Sequence, residues 1–122
     1  MSKKLGVWMD HSIAYLMEFT ANPFEIKTVE SDSIGTINSA NTLEAMMKIR
    51  NQLLLAYYNK IANELKDYSK IILFGPSNAK MELFDVLSED ERFLKVKIEI
   101  KSTDRMTAQE QHMFITDYFS TN

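Results

Sequence analysis

The sequence lacks cysteine, has only two histidines, and contains no long hydrophobic run. Without cysteine, disulfides, thiolate catalysis and cysteine-ligated zinc are all excluded. The histidines, His11 and His112, do not have the spacing of a metal-binding pair, and we expect both at the surface. No apolar stretch reaches the ~18 residues that a membrane span requires. The N-terminus has no long apolar run before its first acidic residue, so we expect no signal peptide there. We therefore expect a cytoplasmic protein without membrane or disulfide partners.

The composition is that of an ordinary globular protein. The chain has 122 residues, of which 45% are hydrophobic and 25% charged, and this length fits one domain covering residues 1–122. The formal net charge of −3 gives no global attraction to nucleic acid or to an anionic membrane, although it leaves room for a local basic patch.

Three strands are predicted to open the chain. Residues 5–9 and 13–19 are apolar runs on either side of a turn at Asp10, His11 and Ser12, which is typical of a hairpin. Residues 24–29 alternate between apolar and polar, as a half-exposed third strand would.

Two further strands and three helices follow. A long helix is predicted over residues 42–68, where Asn41 precedes Glu44 at capping-box spacing. The other predicted elements are a buried strand at 71–74, a helix at 77–87, an alternating strand at 94–100 and a helix from Thr107 to about residue 119. Right-handed crossovers then give a three-layer α/β fold of the ribonuclease H-like type. Its five-stranded mixed sheet has the order 3-2-1-4-5, with strand 2 antiparallel and helices on both faces.

The segment KIILFGPSNAKMELFDVL, residues 70–87, places a tight turn between a buried strand and a helix. The start of a helix after such a strand is a standard anion-binding position. The candidates for binding a phosphate or RNA are Gly75, Pro76, Ser77, Asn78 and Lys80. The alternative is a plain connection in which the lysine is solvated or paired with a carboxylate such as Asp104. A single glycine cannot wrap a phosphate as a P-loop does.

Asp10 ends the first strand, where ribonuclease H-like nucleases place a metal-binding aspartate. A two-metal site needs several converging carboxylates, and the spacing of the sequence joins none to Asp10. The alternative is a turn-capping carboxylate bonded to local backbone N–H groups.

The long helix has two adjacent apolar stripes, which is more than one sheet-facing stripe requires. The second stripe is a candidate interface and consists of Met46, Ile49, Leu53 and Tyr57. It would form a homodimer seam or a docking face. The alternative is that both stripes lie under the sheet and the last helix.

The motifs GVWMDHSIAYLMEF, IILFGPSNAKMELF and KSTDRMT, in this order around a long tyrosine-containing helix, resemble a known family. They are similar to the middle domain of archaeo-eukaryotic peptide-chain release factors, and more so to its stand-alone bacterial relatives. The matching positions are Asp10, Ala14, Gly75, Pro76, Lys80 and the segment Asp104, Arg105, Met106 and Thr107. The resemblance implies the fold given above and a link to ribosomes or translation.

One departure from the family concerns its chemistry. Release factors carry a Gly-Gly-Gln motif between the third strand and the long helix, whereas this chain has SDSIGTINSANT there. That segment contains one glycine and no glutamine, so peptidyl-tRNA hydrolysis is not expected. Gly35, Asn38 and Asn41 are its candidate contact residues.

The sequence therefore leaves three functions open, none of which requires a cofactor. The first is a non-catalytic, translation-linked protein that binds the ribosome, RNA or a translation factor. The second is a homodimeric protein-interaction module without a nucleic-acid role. The third is a divergent metal-dependent nuclease or phosphatase built around Asp10.

Overall fold

The computed structural model of the protein describes residues 3–20, 26–31 and 42–121. In chain order its strands and helices are β1 (Lys4–Met9), β2 (Ile13–Glu18), β3 (Ile26–Glu30), α1 (Leu43–Leu65), β4 (Lys70–Gly75), α2 (Ala79–Ser88), β5 (Lys97–Ser102) and α3 (Ala108–Thr121). A single 3₁₀ turn, Glu91–Phe93, lies between α2 and β5.

The five strands form one mixed sheet in the order β3-β2-β1-β4-β5, as predicted. β2 is antiparallel to both of its neighbours, and β1, β4 and β5 are mutually parallel. β4 lies between two parallel strands, and its apolar side chains are buried on both sides of the sheet. This explains its continuous hydrophobic sequence, because a central parallel strand is covered on both faces.

The helices divide the core into two layers. On one face, α1 and α2 pack over the side chains of Leu5, Val7, Leu73 and their neighbours. On the other face, α3 packs over Trp8, Ile72 and Phe74. α3 approaches β1 so closely that a Cβ on Gly6 would lie 2.4 Å from the Cδ1 atom of Ile115. The predicted three-layer arrangement is therefore correct.

The ends of the helices are explained by local hydrogen bonds. The Thr42 hydroxyl accepts from the Ala45 N–H at 3.0 Å and caps α1, whereas Asn41, the predicted cap, lies outside the described residues. α1 ends at Leu65, three residues before the predicted end. The capping box at α3 is confirmed, because Thr107 and Glu110 exchange side chain-to-backbone hydrogen bonds at 2.9 and 3.2 Å.

One predicted strand boundary was wrong, and another cannot be compared with the structure. β5 begins at Lys97 rather than at residue 94, because the chain first makes the 3₁₀ turn capped by Asp90. Leu94 follows this turn and is 77% exposed, although its alternation with Val96 and Ile98 predicted a buried strand residue. β3 runs from Ile26 to Glu30, and the predicted start of that strand lies outside the described residues.

Candidate functional site at the carboxyl ends of the parallel strands

Gly75 brings the ends of β1 and β4 together. Its φ is +143°, a backbone conformation that residues with a side chain rarely adopt, and a Cβ there would lie 2.3 Å from the carbonyl oxygen of Met9. Only glycine fits such a position. The turn that follows, residues 76–78, therefore starts directly beside the turn that follows β1.

The Asp10 carboxylate is used within its own turn. Its Oδ1 atom accepts hydrogen bonds from the N–H groups of Ser12 at 2.7 Å and Ile13 at 2.9 Å. These bonds confirm the turn-capping interpretation. Within the described part of the chain, no group of three or more histidine or acidic side chains is arranged to hold a metal ion.

Two tyrosines of α1 connect the helix to the carboxyl ends of the parallel strands. The Tyr57 hydroxyl donates to the Asp10 carbonyl oxygen at 2.9 Å, and the Tyr58 hydroxyl donates to the Glu82 carboxylate of α2. Burial, and then the nearby carboxylates, raise the pKa of each phenol, so both stay neutral donors. These contacts join α1, α2 and the turn after β1 into one framework.

His11 is less exposed than predicted. Its Nε2 atom lies 3.3 Å from the same Glu82 oxygen that accepts from Tyr58, and its side chain is about one-third accessible. His112 is exposed on α3, as predicted. The contact between His11 and Glu82 could not be predicted from the sequence, because it depends on how α2 is placed over β1.

Lys80 does not fit the alternative interpretation, in which it is solvated or paired with a carboxylate. It is only 2% exposed, and its ammonium group donates a hydrogen bond to the Ser77 carbonyl oxygen rather than pairing with Asp104. Burial lowers the pKa of Lys80. Its stem packs inward from the first turn of α2, so the side chain does not project into solvent, and the anion contact predicted for it stays a prediction.

The rest of the predicted anion site lies at the surface. Pro76 and Asn78 are exposed, and Ser77 is partly buried with its hydroxyl accepting from the Ala79 N–H at 3.3 Å. Asn78 occupies the N-cap position of α2 without a capping hydrogen bond from its side chain. The structure therefore places an exposed turn and a helix N-terminus next to Asp10.

The two ends of α1 have different surroundings. All of its buried residues lie in the last nine positions, residues 57–65, which we call the packed half. In the preceding part, residues 43–56, which we call the exposed half, Leu43 is 73% exposed and Met47 is 57% exposed. α1 runs antiparallel to β4. Its first residues, the exposed half, therefore lie at the carboxyl ends of the parallel strands.

The predicted interface stripe is divided between these halves. Met46 is 38% exposed, and Ile49 and Leu53 are partly buried. Tyr57 is fully buried, so including it in the interface was wrong. The alternative that both stripes lie under the sheet and the last helix is also wrong, because α3 lies on the opposite face. The loop candidates Gly35, Asn38 and Asn41 lie outside the described residues.

The fold is similar to that of a part of three solved archaeal proteins. The crystal structure of the Thermoplasma acidophilum Pelota protein matches with a TM-score of 0.62 and 22% identity, over 94% of this chain and 32% of that one. Archaeoglobus fulgidus Pelota gives 0.63 and 12%, over 94% and 31%. The archaeal translation termination factor aRF1 gives 0.62 and 14%, over 98% and 38%.

These similarities concern the fold, because all three identities are low. The chain spans about a third of the length of each of these structures. No family model and no curated protein matches the sequence. Within the described residues, no helix combines the length and the hydrophobicity needed to cross a membrane.

Proposed function

We propose that the protein is a non-catalytic binding module linked to translation, which docks on the ribosome or on a ribosome-associated RNA or factor. The observation that carries this proposal is the fold match, which covers nearly the whole chain and includes a translation termination factor. The sequence resemblance to release-factor middle domains supports the same conclusion independently of the coordinates.

The non-catalytic part of the proposal rests on the missing Gly-Gly-Gln motif. The segment between β3 and α1 has Gly35 as its one glycine, and the first glutamine after it, Gln52, lies inside α1. A side chain inside a helix, about two and a half turns beyond its first residue Leu43, cannot act together with that loop as the release-factor glutamine does. Binding is therefore the function that this scaffold supports.

The exposed half of α1 and the turn at residues 76–78 are the proposed contact surface. Leu43, Met46 and Met47 expose apolar area that the sheet does not cover. The flexible, polarizable side chain of methionine adapts well to irregular partner surfaces. Asn78 adds an exposed polar group at the beginning of α2.

A sucrose-gradient profile of a tagged copy in native lysate tests this function. We expect the wild-type protein to sediment with ribosomal particles, and the double variant Leu43→Glu, Met47→Glu to remain at the top of the gradient. The double variant Leu94→Glu, Met113→Glu is the matched control, because it places the same two charges on an equally exposed leucine and methionine elsewhere on the surface. Wild-type protein found only at the top would contradict the proposal.

Homodimerisation through the exposed half of α1 is the second candidate function, and it rests on the same uncovered apolar residues. It predicts a molar mass that rises with protein concentration in sedimentation equilibrium and that the Leu43→Glu, Met47→Glu variant returns to the monomer value. A monomeric mass at every concentration would remove this candidate.

A further inference from the structure

Three lysines lie side by side on the parallel strands, at the amino ends of these strands and thus at the opposite end of the sheet from the candidate site. The strand register pairs Lys4 of β1 with Lys70 of β4, and Lys70 with Lys97 of β5. Neighbouring strands are ~4.8 Å apart, so the row spans about 10 Å. We call these three residues the lysine row.

All three side chains project from the face that α3 covers. The ammonium group of Lys4 lies 5.9 Å from the Phe119 ring centroid, and that of Lys70 lies 5.8 Å from the Tyr118 centroid. Lys97 alternates along β5 with Lys101, whose ammonium group lies 5.7 Å from the same Tyr118 ring. Lys101 therefore extends the row along the edge strand.

Like charges on directly adjacent positions of neighbouring strands destabilise a sheet. The carboxylate of Glu99 partly compensates the positive charge of these lysines, because Glu99 lies between Lys97 and Lys101 on β5. The Tyr118 hydroxyl, followed by the surrounding lysines, holds the pKa of Glu99 below its usual range, so this group stays ionised. Counting Asp117 of α3 as well, the four lysines and two carboxylates carry a net charge of +2.

The charge of the molecule is unevenly distributed. The chain carries a formal net charge of −3, yet the residues of the lysine row and their neighbours on β5 are positive in sum. Five acidic side chains lie within ten residues on α2 and the following turn, at Glu82, Asp85, Glu89, Asp90 and Glu91. An approaching polyanion is thus repelled from the α2 side and attracted to the lysine row.

We propose that the lysine row binds the phosphate backbone of RNA. The aromatic rings beneath the lysines, Tyr118 and Phe119, are buried, so the surface presents positive charge with little apolar area. The buried centre of a protein–protein interface is depleted in charged residues, lysine included, whereas interfaces with nucleic acids are polar and strongly positive. Since the rings are inaccessible to base stacking, the contact is with phosphates and is independent of base sequence.

This inference rests on the proposed link to translation for the choice of RNA, but it concerns a different surface. The candidate contacts of the proposed function lie at the carboxyl ends of the parallel strands, whereas the lysine row lies at their amino ends. The two surfaces can therefore be tested separately.

Fluorescence anisotropy of a labelled oligouridine, titrated with the purified full chain over a series of salt concentrations, tests the proposal. For single strands, each phosphate contact contributes about 0.7 to the slope of log K against log salt. We expect the double variant Lys70→Gln, Lys97→Gln to lower the slope by roughly twice that amount. Lys66→Gln is the matched control, because Lys66 is exposed at the end of α1 on the other face, and it should leave the slope unchanged.

Three results would overturn the inference. The first is that the wild-type chain does not bind oligouridine at low salt. The second is that Lys66→Gln lowers the slope as much as the double variant does. The third is that labelled polyglutamate binds more tightly than the RNA and that the double variant Lys70→Gln, Lys97→Gln weakens this binding too. That result would assign the lysine row to an acidic protein partner. Retained ribosome sedimentation without RNA binding would remove this inference alone, and RNA binding without sedimentation would remove only the proposed function.

Discussion

The exposed and packed halves of α1 are both rich in apolar residues, but only one of them is covered. The packed half buries Ile61 and Leu65 completely against the sheet. In the exposed half, Leu43 and Met47 face outward. The reason is length, because a 23-residue helix is about 35 Å long whereas a six-residue strand is about 20 Å long.

This difference separates apolar residues that stabilise the fold from apolar residues that are available for binding. Burial of the packed half contributes to the stability of the domain. The exposed half contributes little of this kind, and its apolar area is the reason for proposing a partner there. Substitutions in the two halves should therefore have different consequences.

The largest expected effect is that of Ile61→Ala in the packed half. Ile61 is fully buried in the core beneath α1, and truncating such a side chain costs about 2–5 kcal/mol. Leu55→Ala in the exposed half is the matched comparison and should change the free energy of unfolding by no more than about 0.5 kcal/mol. Urea denaturation measures both values, and equal losses would mean that the two halves are equally packed.

Tyr57→Phe tests the boundary between the halves. The substitution removes the hydrogen bond to the Asp10 carbonyl oxygen while keeping the buried ring, and we expect a loss of about 1 kcal/mol. Unchanged stability in the same urea experiment would show that this bond does not anchor the helix to the edge of the sheet.

Lys80→Met should change the pH dependence of the free energy of unfolding more than it changes that free energy at neutral pH. The pKa of Lys80 is lowered in the folded state relative to 10.5, so between these two pKa values the unfolded chain binds more protons. Stability of the wild-type protein therefore rises with pH in this window, and the variant should lack that rise. Thermal unfolding from pH 7 upward measures it.

The pH series should stop below the ordinary tyrosine pKa of 10.0. The folded state raises the pKa of Tyr57 and Tyr58. Above that pH the phenols of the unfolded chain lose protons first, which lowers stability in both proteins. Identical slopes for the wild type and Lys80→Met below this limit would show that the Lys80 ammonium is not desolvated.

The sheet order, the two helix layers and the α3 cap could be predicted because they depend on periodicity, chain order and local capping signals. The burial of Lys80 could not, since its long stem suits either a solvated or an inward-facing side chain at the first turn of a helix. The pairing of Lys4, Lys70 and Lys97 across the strands could not be predicted either, because each lysine begins a different strand. Sequence periodicity does not specify pairing between strands.

The division of α1 was missed for a related reason. Its apolar pattern continues through both halves, and only the length of the sheet beneath it decides where burial ends. The sequence therefore indicated an interface on this helix but included Tyr57, which belongs to the core. The other members of the predicted stripe, Met46, Ile49 and Leu53, stay candidates for that interface.

Hydrogen–deuterium exchange of α1, with and without purified ribosomes, tests the central claim most directly. In the protein alone, amides of residues 43–56 should exchange faster than those of residues 57–65, because few tertiary contacts protect them. Adding ribosomes should slow exchange in the exposed half and leave the packed half unchanged. Exchange in residues 43–56 that is the same with and without ribosomes would contradict the account.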